Sequence, residues 1–301
     1  MPVLILLISR SELHSIKTNI QEVQINISGK IPFTRHMSQL TQVKDSERRA
    51  IHLWMERTNP SPLHNAALSK HEPHTCAWLT RSAEWKDWVS SKSPDRMLWI
   101  HGIPGAGKTV LASFAIEELT LLCEVEDEHV TGSDLVYYYC HYSNNQDESI
   151  PFLSWVTSQV CRQLRWVPPR LKRLHDRGCE PTISELQHIL ELALARLDKL
   201  FIVVDAVDES KPRDELVRLL ATITLDSRFQ KVRILATSRK YWDIERFFSG
   251  ISTCVSMKNP YVDADIERHI LTRLNSDFRL QRWRDSFQGI KEVLVAKANG
   301  M

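Results

Sequence analysis

Residues 102–109 read Gly-Ile-Pro-Gly-Ala-Gly-Lys-Thr, the spacing G-x-x-x-x-G-K-[ST] that lets backbone N–H groups converge on an anion. Three of the chain's nine glycines fall within these eight residues, which concentrates backbone freedom where a phosphate must come close. A helix starting at the end of the loop adds the partial positive charge of its N-terminus to those amides. Gly102, Pro104, Gly105, Ala106, Gly107, Lys108, Thr109 and Val110 are therefore expected to bind nucleotide phosphates. Lys108 reaches the outer phosphates in this reading, and the Thr109 hydroxyl takes one Mg²⁺ position.

A phosphate loop serves several chemistries, and a second motif narrows them. Residues 201–205 run Phe-Ile-Val-Val-Asp, an acid closing an apolar strand, and such an acid holds Mg²⁺ directly or through water. Asp205 takes that role as a metal ligand. Asp208 and Glu209 follow just past the strand tip, where a carboxylate can orient or deprotonate an attacking water. Spacing favours Asp208, with Glu209 second. Arg239 ends another apolar stretch, and its guanidinium is expected to touch the γ-phosphate and so tell triphosphate from diphosphate. No Asn-Lys-x-Asp guanine motif and no ABC-transporter signature is present, so adenine is the default base. ATP with Mg²⁺ is the expected cofactor pair, and GTP is the alternative.

These groups act together only if strands and helices alternate so that loop, acids and arginine emerge at one edge of a sheet. From residue 96 the pattern does alternate. Strands are expected at 97–101, 134–140, 200–204 and 232–236, with a fifth at 253–257, and the loop leads into a helix over 108–123. Ser149 is read as the cap of a helix that tolerates Pro151 in its first turn and carries Phe152, Trp155, Val156, Val160 and Leu164 inward. Thr182 with Glu185 forms a capping box ahead of Ile183, Leu186, Leu190, Leu194 and Leu197. Further helices are expected at 45–57, 263–274 and 283–298, and Trp78, Trp85 and Trp88 are spaced for one face of a single helix. The fold class expected is α/β, a three-layer P-loop NTPase with a mostly parallel five-stranded sheet, a helical N-terminal extension and C-terminal helices. The expected divisions are a loosely defined segment at 1–58, a Trp-bearing lead-in at 59–95, the nucleotide-binding core at 96–258 and the start of a helical lid at 259–301.

Composition sets the frame for this reading. The 301 residues are 43% hydrophobic and 25% charged with a formal charge of +2, ordinary for a soluble protein and without the basic excess of a nucleic-acid binder. The six cysteines lack the paired spacing of a zinc site or a secreted disulfide framework, so reduced thiols and a cytoplasmic setting are expected. His71, His74 and Cys76 cluster around Pro73 and read as a loop. The apolar opening, residues 3–8, is too short to span a bilayer and lacks a basic leader, so a strand or a misassigned start of the reading frame is expected there, and no membrane span.

The residues 102–111, then Asp205-Ala-Val-Asp-Glu209, then Ala236-Thr-Ser-Arg239, resemble a NACHT domain of the STAND signalling NTPases. More narrowly they are similar to the fungal nephrocystin-like N-terminal type, found in large proteins with ankyrin or WD repeats. Trp78-Leu79 followed by Trp85 and Trp88, residues 98–102, 161–164 and 297–301 add to the likeness, which covers about residues 60–301. The resemblance implies a nucleotide-dependent switch with slow hydrolysis and self-association or protein partners. It also implies that relatives continue into a winged helix and repeats, and that this chain stops inside a recurring segment. The family usually carries glycine after the first acid of the second motif, where this chain has Ala206, and Gly-Thr-Gly where it has His74-Thr75-Cys76. The other class that fits is a non-hydrolysing nucleotide-binding scaffold. A phosphotransferase lacks an obvious acceptor site.

Overall fold

The computed structural model describes residues 44–90, 93–126 and 133–298. The chain divides into two compact units, Met1–Arg49 and Ala50–Met301. In the first, the described residues open helix α1 (Asp45–Met55), where Arg48 pairs with Asp45. The strand expected at 3–8 and the glycine at 300 lie outside the described residues.

The second unit is built on five strands, β1 (Met97–His101), β2 (Ser133–Tyr139), β3 (Lys199–Asp205), β4 (Val232–Ser238) and β5 (Thr253–Ser256). Their order is β2-β3-β4-β1-β5 and every pairing is parallel. Such a sheet needs cover on both faces, which is why β3 and β4 are buried almost end to end and why β3 runs apolar from Leu200 to Val204. On one face Leu98, Ile100, Phe201, Val203 and Leu235 meet α5 (Lys108–Glu126) through Leu111, Ala115 and Leu119. On the other, Tyr138 meets Phe152 of α6 (Ser149–Gln163) edge to face, and Trp99 meets Phe248 of α10 (Trp242–Phe248). Helices α7 (Pro169–Asp176), α8 (Ile183–Leu194) and α9 (Asp214–Leu225) complete the connections, and α11 (Pro260–Ser276) and α12 (Phe287–Ala298) close the chain.

Three local expectations give way. The Trp region is two short helices, α3 (Trp78–Arg81) and α4 (Ala83–Val89), preceded by α2 (Ser61–Leu68). Ser82 breaks the turn between them: its Oγ donates to the Leu79 carbonyl at 2.7 Å and accepts the Trp85 N–H at 3.1 Å, so the second helix restarts from a fresh N-cap. Ser149 is the first residue of α6 and not its cap. The cap position belongs to Glu148, and Asp147 Oδ1 takes the Ser149 N–H at 2.8 Å. Leu164 lies past the last helical residue and is half-buried. The capping box of α8 forms as its sequence requires, with Thr182 and Glu185 bonded reciprocally.

The two ends of the sheet differ in character. At the amino ends, cations are spent on backbone carbonyls: Arg233 on those of Asp95 and Ser93, Arg96 on that of Phe229, Lys231 on those of Leu194 and Leu197. At the carboxyl ends, charged side chains converge on one another. Among the described residues no helix is long and apolar enough to cross a membrane.

Candidate functional site

The loop of residues 102–107 leaves β1 with little room. A Cβ on Gly102 would lie 2.7 Å from Met257 Cβ and 3.4 Å from Ala106 Cβ, so only glycine lets the chain leaving β5 close against the loop. Gly105 and Gly107 then take φ of 80° and 84°, and α5 begins at Lys108. Lys108 Nζ donates to the Gly102 and Ile103 carbonyls at 2.8 and 2.9 Å, laying the ammonium across the loop. Burial lowers its pKa, the charges of Asp208 and Asp205 act upward, Arg239 downward and Glu209 upward. The sequence-expected groups are therefore within electrostatic reach of one another.

Asp205 ends β3 fully buried. The Thr237 hydroxyl donates to its Oδ1 at 2.5 Å and the Thr109 hydroxyl also bonds to the carboxyl. Burial dominates nonetheless and pushes the pKa up to about 6, with the Thr237 and Thr109 hydroxyls opposing, Glu209 adding and Lys108 opposing. A carboxylate held ionised against that cost favours a cation. One carboxylate and one hydroxyl are hard oxygen donors, and a cation that keeps its waters and takes substrate phosphates needs no more from protein. The residues present fit Mg²⁺. Among the described residues no group of three His, Cys, Asp or Glu is gathered to hold a metal by itself.

The sign of the linkage follows. An acid whose folded pKa lies above its unfolded one stabilises the fold relative to neutral pH below about pH 4, and that contribution is lost as pH rises toward 6. Asp205→Asn should then raise the stability of the free protein at pH 7 by about 2–3 kcal/mol, the cost of roughly two pKa units. It should also flatten the decline between pH 4 and 6 relative to wild type. Urea unfolding at stepped pH checks this, and a less stable variant contradicts it.

Asp208 lies just beyond, almost buried, with both carboxylate oxygens engaged by Arg239: the backbone N–H reaches Oδ1 at 3.0 Å and Nε lies 3.2 Å from Oδ2. Arg239 Nη1 also donates to Tyr241 Oη at 3.2 Å. Arg213 stacks over the Tyr241 ring and is held by Asp243 through bonds of 2.6 and 3.0 Å. Glu209 faces elsewhere. Its Oε2 accepts the Tyr142 N–H at 3.0 Å, which fastens the β3 tip to the turn after β2. Behind that turn stands Glu148, wholly buried, taking the Tyr138 hydroxyl at 2.5 Å and Asn144 Nδ2 at 2.8 Å while its N–H donates to Ser210 Oγ at 3.1 Å. Sequence reasoning missed Glu148, whose partners Tyr138 and Asn144 are near in sequence but show no spacing motif, and whose third partner, Ser210, arrives only from beyond β3. It also passed over Thr237 as an individual group, although Thr237 stands in the motif that ends on Arg239.

All three places where the resembled family carries glycine have left-handed backbone here: His74 at φ 69°, Cys76 at φ 66° and Ala206 at φ 56°. The conformation is kept without the residue that adopts it freely. The Cys76 N–H bonds Asp265 Oδ2 at 2.7 Å and the His74 carbonyl accepts from Arg268 at 2.7 Å, so α11 holds this strap in place. Ala206 packs little and makes the clean test. Ala206→Gly should stabilise the protein by about 0.5–1 kcal/mol, the left-handed strain of an L-residue less glycine's extra entropy. Equal or lower stability in chemical denaturation contradicts the strain.

A parallel sheet with a phosphate loop leaving β1, an acid ending β3, and β4 with its Thr237 and Arg239 between them defines a P-loop nucleoside triphosphatase fold. The model of the nephrocystin 3 N-terminal family matches residues 74–239, more than half of the chain, and the chain belongs to that family. No curated protein matches it. Among solved structures it is similar to Cdc6p from Pyrobaculum aerophilum, at 15% identity over 73% of this chain and 54% of that one, TM-score 0.43. A Walker-type ATPase of Pyrococcus abyssi matches at 14% identity over 72% and 62%, TM-score 0.43. The Orc1 protein of Aeropyrum pernix, solved in complex with DNA, matches at 15% over 76% and 49%, TM-score 0.40. The chain spans about half the length of Cdc6p and of the Orc1 protein.

Proposed function

We propose that this chain carries the nucleotide-binding module of a signalling switch of the NACHT and STAND kind, which binds ATP with Mg²⁺ and hydrolyses it slowly. The observation that supports this most is the placement of Lys108, Asp205, Asp208 and Arg239 around one loop mouth, each within electrostatic reach of Lys108. Backbone N–H groups of residues 105–110 cradle the phosphates, and Lys108 exchanges the Gly102 and Ile103 carbonyls for phosphate oxygens. Thr109 and Asp205 would hold Mg²⁺, whose chemistry when bound would be positive charge set against the negative charge that develops in phosphoryl transfer. Arg239 meets the γ-phosphate, and in doing so leaves the carboxylate of Asp208, which then orients or deprotonates water. Glu209 keeps the neighbouring turn in register through Tyr142.

A second reading draws on the same pair. While Arg239 occupies both oxygens of Asp208, the acid is not available to water, so the module can hold nucleotide without turning it over and serve as a scaffold. Phosphate release by purified protein separates the two. Slow release that needs Mg²⁺ supports the switch, and retained ATP without release supports the scaffold. A cytoplasmic setting, self-association and a larger fungal repeat protein as the parent belong to this proposal through the resemblance. ATP is preferred over GTP in it, and competition between the two nucleotides tests that preference.

A further inference from the structure

The hydroxyl of Thr237 is completely buried at the end of β4 and makes two bonds of opposite sense. It accepts the Ala206 N–H at 3.0 Å and donates to Asp205 Oδ1 at 2.5 Å. A hydroxyl has one proton, so accepting from the amide commits that proton to the carboxylate and fixes the direction of the chain from Ala206 through Thr237 to Asp205. The register supports the placement: Val204 pairs with Ala236, which sets Thr237 beside the residue after Val204. The same hydroxyl thus pins the left-handed turn at Ala206 and stops the carboxyl of Asp205 from rotating. The Thr109 hydroxyl and the Lys108 ammonium act on the same carboxyl from the loop.

We propose that Thr237 is a positioning residue that orients the metal-facing carboxylate of Asp205 while touching neither metal nor nucleotide itself. This rests on the proposed Mg²⁺–nucleotide site and deepens it. Partners behind a metal ligand fix its aim, and their loss typically weakens metal affinity about 10–100-fold. Thr237→Val keeps the shape of the side chain and removes both bonds, while Thr237→Ser keeps them.

The test titrates Mg²⁺ against the full chain with a fluorescent ATP analogue, and measures analogue affinity separately in EDTA. Thr237→Val should raise the half-saturating Mg²⁺ concentration at least about tenfold. Its affinity in EDTA should stay within about twofold of wild type, because Thr237 does not meet the phosphates. Thr237→Ser should restore the wild-type response. A Thr237→Val protein with the wild-type Mg²⁺ response, or with affinity lost equally in EDTA, overturns the inference and leaves the nucleotide site standing. A wild-type protein that binds the analogue without any Mg²⁺ response overturns the metal reading of Asp205 itself, and the inference with it. If Thr237→Val does not fold, Thr237→Cys, with a weaker donor of similar size, should give an intermediate shift, and a wild-type response there overturns the proposal.

Discussion

Lys108→Ala should weaken ATP binding by about 10²–10⁴-fold, since two hydrogen bonds from a charged donor contribute roughly 1.5–3 kcal/mol each. The ammonium is partly buried and its charge is already held against desolvation by Asp208 and Asp205, so a phosphate gains a donor aimed and stripped of much of its water. In the free protein the half-buried side chain bonds only two carbonyls of its own loop, and its loss should leave the unfolding midpoint nearly unchanged. Affinity lost together with stability would instead mark Lys108 as a brace of the loop. Equilibrium binding and thermal unfolding on the same preparation distinguish the two.

Asp208→Asn should lower turnover by about 10²-fold or more, the contribution of a positioned general base, while ATP affinity stays within about threefold. Asparagine preserves the shape and can still accept from the Arg239 backbone N–H, but it gives up the charge that water needs. Glu209→Gln should cost less, on the order of tenfold, because the Glu209 carboxylate is engaged by the Tyr142 amide and acts through the turn it holds. A larger loss in Glu209→Gln than in Asp208→Asn would reverse the assignment of the two acids. Single-turnover measurement of phosphate release reads both.

Much of this was legible because it is local. β1 and β3 announce themselves as largely apolar runs, β2 as a β-favouring run at the sheet edge, and β3 and β4 carry their functional groups at their ends in the sequence itself. The capping box at Thr182 is legible for the same reason: its partners are three residues apart. The short helices are not, since seven or eight residues give too few turns for a period to show, and α2, α7 and α10 fall in that range. In α9 the signal is present, with Asp214 and Glu215 in the first turn and Leu216, Leu220 and Ile223 on one side. The break at Ser82 follows from a serine whose hydroxyl can serve two backbone groups at once, a choice made by packing and not by spacing. What the sequence cannot give is adjacency across the sheet. That β4 lies between β1 and β3 decides that Thr237 meets Asp205 and that Arg239 meets Asp208, contacts separated by some thirty residues of chain.

His74, Cys76 and Ala206 hold left-handed backbone without being glycine. At Ala206 the missing glycine alters the energy of the turn and leaves its course intact, since the Thr237 hydroxyl still receives the Ala206 N–H. The departure therefore weighs on stability more than on the architecture of the site.

The central claim is a Mg²⁺-dependent triphosphate site formed by the loop of residues 102–109 and the acid that ends β3. Calorimetric titration of ATP into the wild-type chain, in Mg²⁺ and in EDTA, with Lys108→Ala alongside, tests it most directly. Saturable one-to-one binding is expected, weakening at least about tenfold without Mg²⁺ and largely disappearing in Lys108→Ala. Binding of equal strength in wild type and Lys108→Ala would contradict it.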